Sequence, residues 1–119
     1  MKSNPRDPQT GTAVGETVSP TTIFAALSNE RRQHALQYLA LRPGDVVLGD
    51  LAEYVTIEDG IRTHDRYERV LTGLVHSHLP QLTDAGLVAY DADHETVSLL
   101  VDAEVLYPYL ELAEPLADE

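Results

Sequence analysis

The stretch YERVLTGLVHSHLPQLTDAGLV, residues 67–88, decides how the rest of the chain is read. At 100° per residue, Tyr67, Leu71, Leu74, Val75, His78 and Leu82 fall on one side of a helix, a core stripe. Arg66, Arg69, Gly73, His76 and Pro80 fall on the other side, flanked by Thr72 and Ser77. Asp65 and Glu68 stand at capping-box spacing, which predicts a helix from 65 to about 83. Ala85 and Gly86 end it, with Gly86 as a left-handed cap. Two apolar, β-favouring runs follow, LVAYD and TVSLLV, joined by ADHE, which read as a hairpin. A helix that runs into a hairpin is the second half of a winged helix-turn-helix.

The flanking sequence completes that pattern. Residues 1–19 are rich in Pro, Gly, Ser and Thr without an apolar period and are expected to form a disordered tail. TTIFAAL reads as a short helix, and Ser28 as the N-cap of NERRQHALQYLAL, whose stripe is Ala35, Leu36 and Leu39. RPG at 42–44 ends that helix, and DVVL at 45–48 is a strand. Asp50 and Glu53 again have capping-box spacing, so a helix with Leu51 and Val55 inward should run to about Ile57. EDGIRTH at 58–64 reads as a loop. In DAEVLYPYLELAEPL the residues Val105, Leu106, Tyr109, Leu110 and Ala113 make one helical stripe, which Pro108 should kink or restart. The expected fold class is mainly α with a small β-hairpin, a winged helix-turn-helix over 20–101. A C-terminal helix over 102–119 follows it.

Composition narrows the functional classes. With 119 residues the chain fits one small domain, and it has no cysteine, which excludes disulfides and thiolate metal sites. Nothing resembles a signal peptide or a membrane span, so a cytoplasmic protein without membrane contact is expected. The chain carries 20 acidic and 8 basic residues, a formal net charge of −12. The charge is segregated: residues 71–119 contain 10 acidic residues and neither Lys nor Arg. Such acidity, with little Lys, resembles proteins of salt-accumulating archaea, where the Debye length falls to about 3 Å at 1 M salt and self-repulsion is screened. An acidic partner-binding face is the other reading of the same charge.

The outward face of the 65–83 helix carries the functional expectation. Arg62, Arg66 and Arg69 lie at or just before its start, Gly73 in its middle, and Thr72, His76 and Ser77 beside it. A helix that enters the major groove meets bases and phosphates with its N-terminal residues, and bulk in its middle would hold the backbone away. Arg takes guanine bidentately or pairs with phosphate, and Thr and Ser reach either. The competing reading is a solvated helix face that happens to hold Arg.

ALSNERRQHALQYL, LAEYV and HLPQLTDAGLV resemble, in order, the matching segments of winged-helix regulators of the ArsR and MarR type. The pattern is most similar to a family of small haloarchaeal winged-helix proteins and covers about residues 22–101. The resemblance implies DNA-binding transcriptional regulation by a homodimer, with double-stranded DNA as partner. The sequence departs from the larger families in three places. The segment between LAEYV and HLPQL is longer by about a dozen residues than a standard turn allows. Pro80 interrupts the helix late. The wing carries Asp91, Asp93 and Glu95 and no Lys or Arg.

A dimer interface is expected from Ile23, Phe24, Val105, Leu106, Tyr109 and Leu110, more apolar surface than a terminal helix needs. A winged-helix protein-interaction module that does not bind DNA is the alternative function, and the acidic wing favours it. A small-ligand or metal sensor rests on family analogy alone. No cofactor or metal is expected: His76 and His78 point about 200° apart on a helix, and His34 and His78 read as packed or capping residues. No nucleophile–base spacing or phosphate loop suggests an enzyme.

Overall fold

Four of the helices start where a short polar side chain satisfies orphan amides, and those starts fix much of the layout. The computed structural model describes residues 18–118, with side chains described as far as Ala113. The tail expected over 1–19 therefore lies, but for its last two residues, outside the described residues. Helix α1 (Pro20–Ala26) opens on Ser19, whose side chain accepts from the Thr22 amide. Helix α2 (Glu30–Leu41) is capped by Asn29, not Ser28: its Oδ1 accepts from the Arg31 and Arg32 amides at 2.9 and 3.2 Å. The Ser28 hydroxyl turns back instead and donates to the Ala25 carbonyl at 2.7 Å.

Strand β1 is only Val46–Val47, because helix α3 (Leu48–Asp59) begins at once and absorbs the rest of the expected strand. Helix α3 has no side-chain cap, so the Asp50–Glu53 spacing did not form one. It ends on Gly60 at φ +92°, a left-handed position that a side chain rarely adopts. Helix α4 (His64–Gly73) is capped by Thr63 rather than Asp65, with the Thr63 hydroxyl accepting from the Arg66 amide at 3.1 Å. A π turn (Leu74–His78) and helix α5 (Leu79–Asp84) continue α4 without a break. The expected loop at 58–64 shrinks to Gly60–Thr63, with Glu58 and Asp59 ending α3 and His64 starting α4.

The π turn has a local cause. Pro80 has no amide to donate, and in an α-helix its ring would press on the carbonyl of His76. Widening the preceding turn, so that the Leu79 amide bonds to the Leu74 carbonyl, opens that space without ending the helix. The widening also shifts the buried stripe, which runs Val70, Leu74, His78 with Leu79, and Leu82. Tyr67, Leu71 and Val75, expected inward, are half-buried at its margin. Helix α5 closes with the Leu87 amide on the Leu82 carbonyl and the Gly86 amide on the Thr83 carbonyl, both at 3.0 Å, around Gly86 at φ +80°.

Strands β2 (Val88–Asp91) and β3 (Thr96–Leu99) form the expected hairpin, and β1 joins its far side to give an antiparallel sheet in the order β1-β3-β2. Pairing runs Val46 to Val97 and Val88 to Leu99, which turns Val46, Val88 and Val97 into the core. The fold is thus helix-rich with a small antiparallel sheet and a hairpin wing, as expected. No helix among the described residues is long and apolar enough to cross a membrane.

Helix α6 (Ala103–Asp118) is capped by Asp102, whose Oδ1 accepts from the Glu104 amide at 2.9 Å. It passes through exposed Pro108 without the expected restart. Its packing corrects the interface expected from sequence. Leu106 and Leu110 are buried in the core of their own chain, and so is Ile23 on α1. A stripe spaced for one core was read as surplus because α6 covers more of the domain than its terminal position suggested. Phe24 and Val105 do remain at the surface, with Tyr109 half-buried and packed edge-on against Phe24 at 5.1 Å. Exposed Leu112 extends that strip.

This arrangement separates two roles along one helix. Leu106→Ala should cost about 2–5 kcal/mol by emptying a filled core site, whereas Glu111→Ala, at an exposed position of the same helix, should stay within about 0.5 kcal/mol. Urea unfolding of both variants checks the assignment, and equal losses would place α6 wrongly.

Candidate nucleic-acid interface

The short turn between α3 and α4 holds the two helices at a fixed angle and brings charges from three helices together. Asp59, at the end of α3, receives Arg31 from the start of α2 and Arg66 from the start of α4. Both guanidinium groups meet the same Oδ2 oxygen, at 3.1 and 3.0 Å. The carboxylate is 14 % exposed and each Arg 28 %, so the bonds are partly shielded from water. Such charge-assisted bonds fix direction as well as distance. Two cations on one anion leave the cluster one unit positive beside the amide end of α4, itself the positive end of a helix dipole.

This clamp corrects the reading of Arg66 as a freely projecting residue: its side chain is directed back to Asp59. Sequence reading missed Asp59, although its place seven residues before Arg66 and across a glycine turn was the available signal. The other expected site residues do reach the surface. Arg62 is exposed in the turn and forms no ion pair among the described residues. Arg69 is exposed, with its Nε 3.4 Å from Asp65 one turn earlier. Thr72, His76 and Ser77 are exposed, and Ser77 Oγ accepts from the Gln81 side-chain Nε2 at 3.2 Å, which leaves its own proton free. Gly73 is half-buried, and a Cβ added there would meet only the His78 ring, at an ordinary 3.8 Å. Its smallness is therefore not required by the protein's own packing.

Beside this face lies an open cleft of about 650 Å³, between α3 and the turn and first residues of α4. Asp50 and Glu53 line one wall and Arg62, His64 and Tyr67 the other. The Tyr67 hydroxyl lies where a Cβ on Gly49 would come within 3.3 Å, so Gly49 admits the aromatic ring tip close to α3.

The wing presents the opposite charge. Asp91 folds its tip by accepting from the Asp93 and His94 amides at 3.0 and 3.2 Å, and its other oxygen meets His94 Nδ1 at 2.8 Å. The His94 bonds hold the Asp91 carboxyl below its ordinary pKa, so it is ionised at neutral pH. Glu95 takes a left-handed φ of +54° at the end of the turn. Asp91, Asp93 and Glu95 are all exposed.

Histidines elsewhere divide by burial. His64, His76 and His94 are exposed, while His78 is buried against Arg32. The half-buried His34 keeps its Nδ1 away from water without a hydrogen-bond partner. Among the described residues no group of three or more His, Asp or Glu could hold a metal ion.

Residues 24–98 match the model of a family described as a domain of unknown function, DUF7344. Comparisons with curated proteins and with solved structures found no match. The matched span takes in the Asp59 clamp, the long helix and the hairpin.

The clamp and the exposed cations should separate in a stability assay. Arg66→Ala should destabilise by about 1–2 kcal/mol, since it removes a charge-assisted bond from a shielded carboxylate. Arg69→Ala, whose Arg69–Asp65 pair is 70 % and 80 % exposed, should leave the midpoint of thermal unfolding unchanged. Equal midpoints for the two variants would remove Arg66 from the fold's support.

Proposed function

The chain belongs to the DUF7344 family, and we propose that it is a DNA-binding transcriptional regulator that reads the major groove with residues 64–84. One observation carries this reading: a long helix follows a four-residue turn that contains glycine and exposed Arg62, and shows an exposed row of Arg69, Thr72, His76 and Ser77. A turn of that length is what a helix-turn-helix uses to lay its second helix across a groove. Arg62 and Arg69 pair with phosphate or guanine, and Thr72 and Ser77 reach base edges or phosphate. Arg66 supports the helix through Asp59. The similarity to ArsR- and MarR-type regulators is part of the same proposal.

The working unit is a homodimer, joined through the strip of Phe24, Val105, Tyr109 and Leu112. Two-fold pairing sets the reading helices about 34–36 Å apart, one turn of DNA. The protein is not an enzyme, acts in the cytoplasm and needs no cofactor. Its acidity is that of a protein working in molar salt, where counterions shield the wing carboxylates from phosphate. A second reading is a winged-helix module that binds a protein instead of DNA. The exposed Asp91, Asp93 and Glu95 at the wing tip favour it, since they repel a duplex at low salt.

Fluorescence anisotropy with random-sequence duplex DNA over a KCl series distinguishes these. Arg62→Ala and Arg69→Ala should each lower the slope of log affinity against log salt by about 0.9. Asp93→Lys should raise affinity for every sequence, most at low salt. A parent protein that fails to bind duplex at any salt concentration would leave the protein-interaction reading standing.

A further inference from the structure

Arg32 is buried to 8 % exposure, and among the described residues it forms no ion pair with a carboxylate. Its Nε donates to the Ala26 carbonyl at 2.8 Å, and its Nη2 lies 3.4 Å from the Ala25 carbonyl and 3.3 Å from Ser28 Oγ. The negative end of α1 therefore supplies much of its compensation. Its Nη1 points at His78 Nδ1, 3.4 Å away. A guanidinium only donates, so Nδ1 must be bare and the proton of neutral His78 must sit on Nε2. His78 is itself 8 % exposed and is the last residue of the π turn.

We propose that this contact is an acid-sensitive latch on the helix assigned above to DNA reading: protonating His78 sets two cations together in a buried site and frees the π turn from α2. The groups facing the ring all act in that direction. Arg32 touches it, and Arg31, although drawn to Asp59, adds positive potential from the same helix. Gly73, Leu79 and Leu82 contribute no charge from the ring's own helical stretch. Burial, then Arg32, then Arg31 hold the His78 pKa below the ordinary 6.5. The latched state thus binds fewer protons than a released one. As pH falls through 6.5 toward the lowered value, the latched state loses ground by up to about tenfold per pH unit. Well above 6.5 both states are neutral at this position and the latch holds fully.

The latch rests on the DNA-reading proposal for its consequence but not for its detection. A mere gain of positive charge at the surface on acidification would strengthen DNA binding through added phosphate attraction. The latch predicts the reverse sign. Anisotropy with random-sequence duplex in KCl, from pH 7.5 to 5.5, should show affinity falling several-fold for the parent. In His78→Gln, whose amide oxygen still accepts from Arg32, affinity should stay level or rise. Parallel profiles in parent and variant, or a parent that tightens on acidification, overturn the latch.

Hydrogen exchange without DNA gives a separate readout on the parent alone. After correction for intrinsic rates, protection of amides 74–79 should fall below pH 6.5 while that of α3 persists. Its midpoint should coincide with the His78 ring titration followed by NMR. Non-coincident midpoints, or loss spread evenly over the helices, overturn the latch even if DNA binding is absent. Absence of DNA binding with coincident local opening would instead retire the DNA-reading proposal.

Discussion

The architecture depends on keeping one face of a long helix buried past a proline. Residues 64–84 must cover α3 with Val70 and Leu74, then reach the sheet with Leu79 and Leu82. Pro80 removes a donor near the end of that span. A break there would have detached the last turn from the core and left the hairpin without its base. The π turn absorbs the missing bond within one turn and rotates the following residues, so that His78 and Leu79 are both buried where a regular helix would bury one. The rotated His78 is what meets Arg32. A defect in one helix has thus become a polar contact between two.

The opposing charges of the molecule are handled by placement rather than by balance. Seven of its bases are Arg, and those that matter structurally are held by geometry. Arg31 and Arg66 share Asp59, while Arg32 rests on the carbonyls that end α1. Arg62 and Arg69 are left toward solvent at one end of the long helix, and carboxylates occupy the wing. A net charge of −12 therefore coexists with two exposed arginines at the start of the long helix. Whole-chain charge is a poor guide to what such a surface attracts, because fields fade within a Debye length.

Much of the fold was legible because its signals were local and periodic. The hairpin, the Gly86 cap and the stripe of α2 follow from turn chemistry and helical spacing. The helix starts shifted by a few residues, since Asn29 and Thr63 offered better-placed oxygens than Ser28 and Asp65. What stayed hidden was set by tertiary geometry. Asp59 looks like any loop carboxylate until the turn brings Arg31 and Arg66 to it. Ile23, Leu106 and Leu110 looked available for a partner because nothing in a stripe reveals whether its own chain already covers it. Pro80 was visible as a disturbance, but whether it would break or widen the helix depended on packing from both sides.

The hairpin is fastened close to its turn by backbone bonds: Val46 and Val47 pair with Val97 and Thr96, and the Leu48 amide donates to the Glu95 carbonyl at 2.9 Å. Bonds of that kind are indifferent to side-chain identity. Tip residues such as Ala92, Asp93 and His94 can therefore be exchanged while these bonds hold the register. The wing is the part of this domain that evolution, or an engineer, can most readily rewrite, adjusting attraction to a partner without renegotiating the fold.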